Sequence, residues 1–208
     1  MRGWRRMVEW SGGFMPEKCC HDLDIYNMAT ASRPIRVASF GRRQSYIPQN
    51  APTSNAENEI MHVKKSVDGA FHSDGDIIDW QTSTQSCESG AGAAFHTNLN
   101  VPDKHRRFCI MGTHRMAEGN FVRGYLKVTA RDGAVVADHR HAEDEVRRGN
   151  YYGADDMMLA DIDSLPVGIV DAMEAGIVAL APDKARITGR MIDLADTWAR
   201  LDAHGLWA

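Results

Sequence analysis

Apolar and polar positions alternate too weakly before residue 60 to define an element. Residues 1–34 hold neither a helical nor a strand period over two turns. Ile35-Arg36-Val37-Ala38-Ser39-Phe40 predicts one short strand, and Gln44 to Asn55 is rich in turn formers and polar residues. The first 60 residues therefore read as a poorly ordered N-terminal arm and linker. Residues 61–208 read as a single domain. Its stretch 68–140 is β-rich, with short strand candidates at 70–72, 76–80, 93–97 and 107–111. Gln81 to Gly92 is polar throughout and predicts a loop. The strongest turn signal is Arg131-Asp132-Gly133, set between the apolar runs around Tyr125-Leu126 and Val135-Val136. Glycine there supplies the positive φ of a tight hairpin.

The C-terminal stretch predicts a helical hairpin over 164–204. Ser164 can cap and Pro166 lies in the first turn. Val167, Val170, Met173 and Ile177 share one face up to Leu180, and Ala181-Pro182 interrupts the helix. From Asp183 to Ala203 a second helix carries Ile187, Met191, Leu194, Trp198 and Leu201 at intervals of 4, 3, 4 and 3. That stripe is a candidate interaction surface, because a seam so regular must be covered by something. The expected fold is α+β: a small antiparallel β-sheet, then a C-terminal antiparallel helical hairpin, behind a poorly ordered arm.

Composition narrows the function classes. The chain has 208 residues, 43% hydrophobic and 25% charged, which excludes wholesale disorder. The net charge is −4, but residues 1–50 carry +4 and residues 116–208 carry −6. An acidic body argues against nucleic acid as a partner. No apolar run reaches the length of a membrane span. The N-terminal residues lack the apolar core of a signal peptide. Cys19, Cys20, Cys87 and Cys109 form no C-x-x-C pair and read as reduced thiols, so a cytoplasmic location is expected. Nucleotide-binding, serine-hydrolase and zinc-protease motifs are absent. The leading expectation is a bacterial binding or adaptor protein without a catalytic motif, acting through its hairpin on a protein partner or a second copy of itself.

Two resemblances bear on this. Met191 to Leu201 resembles a hairpin found at the ends of small alphaproteobacterial proteins, which implies a bacterial origin and a buried tryptophan. The run Gly133-x5-His139-x-His141-x3-Glu145 resembles the first metal motif of cupins. Leu165-Pro166-Val167-Gly168-Ile169-Val170-Asp171 resembles the second, with Asp171 in place of a histidine. The cupin resemblance implies a divalent transition metal held by His139, His141 and Glu145, with Asp171 as a fourth ligand. His139 and His141 would share a face on a strand, as metal ligation requires. The alternative function is accordingly a metal-dependent, cupin-like enzyme or sensor.

Overall fold

The computed structural model describes residues 3–51, 71–141 and 167–205. They fall into two compact units. One comprises residues 1–100 and 167–208, the other residues 101–166.

In the first unit a four-residue 3-10 turn, Gly3–Arg6, and a single-turn helix α1, Val8–Ser11, lead into helix α2, Phe14–Thr30. Pro16 lies in the first turn of α2, where a missing N–H leaves no helical bond unmade. Met15, Cys19 and Leu23, spaced by four, form the buried edge of the helix. One apolar residue per turn is a narrow stripe, which is why the sequence pattern does not announce this helix. The helix ends at Ala31, which takes a left-handed conformation.

Strand β1, Pro34–Arg42, pairs antiparallel with β2, Trp80–Cys87, and β2 pairs with β3, Gly92–Asn98. On the other side of β1 lies the two-residue β8, Ile192–Asp193, giving the order β3-β2-β1-β8. One face of this sheet is covered by α2 and by α3, Ile169–Thr188. Leu23, Val37, Val178, Ala179 and Ala181 meet there with Leu194, Trp198 and Leu201, the last two from helix α4, Ala195–Ala203. Each buried leucine or valine contributes about 1.5–3 kcal/mol. On the opposite face Phe40 is 75% exposed.

The start of β1 is locked to the C-terminal helices by one cluster. The Trp198 indole Nε1 donates to the Pro34 carbonyl at 2.7 Å. Arg33 lies 5.1 Å over the same ring, and it donates to Glu174 of α3 at 2.7 Å and to Asp202 of α4 at 3.0 Å.

The second unit is a four-stranded antiparallel meander: β4, Arg107–Met111; β5, Arg115–Asn120; β6, Tyr125–Ala130; β7, Val135–Arg140. The turn between β6 and β7 places Gly133 at φ 88°, and Asp132 accepts the N–H of Ala134 at 3.0 Å. Buried Asn120 organises the β5–β6 turn, its Oδ1 accepting the N–H groups of Arg106, Val122 and Arg123.

Several expectations are corrected. The architecture is two antiparallel sheets with few helices, rather than one small sheet followed by a helical hairpin. Residues 3–42 are not a poorly ordered arm, since α2 and β1 line the core of the first sheet. The hairpin fails at both helices. Pro182 sits inside α3, buried, and the helix runs on to Thr188. Gly189 then stops it in a left-handed conformation, and β8 intervenes before α4. The supposed loop from Gln81 is strand β2, an interior strand of its sheet. No helix among the described residues is long and apolar enough to cross a membrane.

Candidate functional site

Residues 3–13 form a clamped approach to α2. The Arg6 carbonyl accepts the N–H groups of Asp76 and Ile77, and Val8 N–H donates to the Asp76 carboxylate at 2.7 Å. Arg6 also pairs with Asp74 at 2.9 Å; this carboxyl is held below its ordinary range by the hydrogen bond and charge of that guanidinium. The chain then turns through Gly12 at φ 76° and Gly13 at φ 111°. At Gly13 a side chain would collide with the Asp183 carboxylate of α3. Glycine is thus required twice over, by conformation and by close approach.

This turn aims the first part of α2. Glu17 lies in its first turn, largely buried, with Oε1 2.8 Å from the Arg5 guanidinium. His21 follows one helical turn later and is exposed. Residues four apart on a helix share a face. Glu17 and His21 are thus set one turn apart on α2, with the carboxylate held by Arg5 and the imidazole open to a ligand. Histidine is the commonest general acid–base side chain, and a neighbouring carboxylate is its usual orienting partner.

The residues singled out from sequence lie on several elements. His139 is exposed on the edge strand β7, in register with Leu126, and His141 follows that strand, also exposed. Glu145 lies outside the described residues. Asp171 caps α3 by accepting the Gly168 N–H at 2.7 Å. Among the described residues no group of three metal-ligating side chains comes together. Of the apolar stripe, Leu194, Trp198 and Leu201 are core, while Ile187 and Met191 are 68% and 62% exposed. The helix ends at Gly189, between Ile187 and Met191, so the five positions do not share one helix. Glu17 and His21 escaped notice because they sit where no period was visible. Their available signal was Gly12-Gly13 followed by an acid and a histidine four residues apart.

The described residues do not fit a dinucleotide. Every strand pair among them is antiparallel. A dinucleotide-binding module needs parallel strands and a glycine-rich turn from strand to helix. Gly12-Gly13 instead joins two helices.

The fold these elements build is nevertheless one found in oxidoreductases. The chain is similar to the aldose–aldose oxidoreductase of Caulobacter crescentus, with a TM-score of 0.61 and 16% identity over 93% of this chain and 51% of that one. It is similar to a levoglucosan dehydrogenase, with a TM-score of 0.65 and 13% identity over 92% of this chain and 54% of the other. It is also similar to the myo-inositol 2-dehydrogenase of Lactobacillus plantarum, with a TM-score of 0.54 and 14% identity over 88% and 49%. The chain spans about half the length of these structures. No family model and no curated protein matches the sequence. The shared fold overturns the expectation of a non-catalytic adaptor working through a helical hairpin, and that of a cupin-like metal protein. Its neighbours are oxidoreductases, and neither the hairpin nor a metal cluster is present among the described residues.

Proposed function

We propose that this chain is the substrate-side part of an oxidoreductase acting on a hydroxyl-bearing carbon of a sugar or cyclitol. His21 exchanges a proton with the reacting oxygen of the substrate, and Glu17 orients the imidazole from one turn earlier. Arg5 holds the Glu17 carboxylate in place. The acceptor of the substrate's hydride belongs to a nucleotide-binding module that the described residues do not contain. The observation that supports this reading is the four-residue spacing of Glu17 and His21 on α2, within a fold shared with an inositol and a levoglucosan dehydrogenase. The four cysteines are free thiols, which supports a cytoplasmic location.

Ligand-induced thermal stabilisation tests the reading. Aldoses, levoglucosan and myo-inositol are titrated against the wild type, His21→Ala and Glu17→Gln. At least one ligand should raise the Tm of the wild type, and the rise should vanish in His21→Ala and shrink in Glu17→Gln. A wild type that responds to none of them, or variants that keep the full response, would overturn the proposal.

A further inference from the structure

The inward side of β2 departs from the rest of the core. Side chains alternate along a strand, so Gln81, Ser83, Gln85 and Cys87 share one face. It is the helix-covered face, since Gln85 is in register with Val37 and Tyr26 of α2 meets Cys87 Sγ at 3.6 Å. Gln81, Ser83 and Gln85 are 0%, 1% and 5% exposed. A strand face packed beneath helices is ordinarily apolar.

The protein meets only part of their hydrogen-bonding capacity. Gln81 Nε2 donates to Ser39 Oγ at 3.0 Å, and Ser39 Oγ donates to the Thr82 carbonyl at 2.9 Å. Among the described residues Gln81 Oε1, Ser83 Oγ and both amide atoms of Gln85 find no partner, nor does Asn27 Oδ1 on α2. Ser39 and Ser83 lie directly opposite each other. The rung between the two glutamines therefore carries two one-carbon side chains. The nearest charge along the strand, Asp79, is already engaged by the N–H groups of Gln44, Ser45 and Tyr46. What remains unmatched is neutral and includes both donors and acceptors. Buried groups of this kind are almost always satisfied, and the usual agent is water with two to four partners.

We infer that the layer between β2 and the helices is a built-in water site, with ordered internal water held by Gln81, Ser83 and Gln85. The strand tolerates its polar inward face because that water completes its hydrogen bonding. The inference stands apart from the proposed catalytic role and survives its failure.

A crystal structure of the full chain at a resolution that shows solvent is the first test. Ordered water should lie within about 3.2 Å of Gln85 and of Ser83 Oγ. Thermal melts of Gln85→Met are the second. If water is bound, this apolar replacement of similar volume removes its anchors and lowers the Tm. A dry seam, or a higher Tm in Gln85→Met, overturns the inference, because removing an unpaired buried amide is then favourable. Should that variant fail to fold, Ser83→Ala carries the same comparison, and the wild-type density decides in either case.

Discussion

Removing the indole of Trp198 should damage the first unit more than any other single truncation at its helix–strand lock. The ring is 3% exposed, packs with Leu194 and Leu201, and donates to Pro34 O at 2.7 Å. Trp198→Ala empties the space of a full aromatic side chain, a loss of about 3–5 kcal/mol. Trp198→Phe separates the contributions. It keeps most of the packing but strands the Pro34 carbonyl, which costs about 1–3 kcal/mol. Arg33 would keep its bonds to Glu174 and Asp202 in both variants and lose its place over the indole. Urea unfolding followed by circular dichroism measures the two values. Because the chain has two units, the transition to follow is the one that Trp198→Ala displaces. The ordering should be alanine worse than phenylalanine, and phenylalanine worse than wild type. An alanine variant within about 1 kcal/mol of wild type would refute the claim that this ring locks α4 to β1.

Gly13→Ala should destabilise by about 1–3 kcal/mol, since its φ is 111° and the new methyl meets the Asp183 carboxylate. Gly133→Ala, at φ 88° with open space around it, should lose only the conformational part, about 1 kcal/mol; equal losses in the two melts would contradict the contact. Burial raises the phenol pKa of Tyr26, with help from Cys87, and that of Tyr46, with help from the Asp79 carboxylate. The folded state therefore keeps protons that the unfolded chain releases near pH 10, so stability is intact below that value and falls as pH rises above it. Replacing both tyrosines by phenylalanine should flatten the alkaline limb of a stability–pH curve; an unchanged limb would show that other groups set it.

What could be read from the sequence was local. The Asp132-Gly133 turn lies between two strands because glycine chemistry dictates it within four residues. Trp198 and Leu201 are buried, as the stripe required, yet the period ran straight through Gly189, where the helix ends. Pro182 misled in the other sense. Proline inside a helix loses one hydrogen bond, and here burial against the neighbouring layer compensates. β2 was hidden because Gln81, Ser83 and Gln85 carry no apolar alternation, and its place is set by pairing with β1, far earlier in the chain, as well as with the adjacent β3. The candidate site was missed for a related reason. Glu17 and His21 ride on a helix whose buried edge is one residue wide, so tertiary contact with α3 defines it.

The first unit is assembled from both sides of an insertion. β1 cannot acquire its neighbour β8, nor Pro34 its indole donor, until residues beyond 190 are present. The meander of residues 107–140 needs only contacts between adjacent strands. On a ribosome, the middle of the chain can therefore complete its hydrogen bonding while the earlier segment waits. During that interval the inner face of β1 and the buried edge of α2 have no α3 or α4 to cover them. Long-range closure of this kind is slow relative to local hairpins and leaves apolar surface open to association. Chaperone dependence should thus fall on the segment made before the meander, and moving residues 167–205 ahead of Gly3 by permutation of this stretch would shorten the wait.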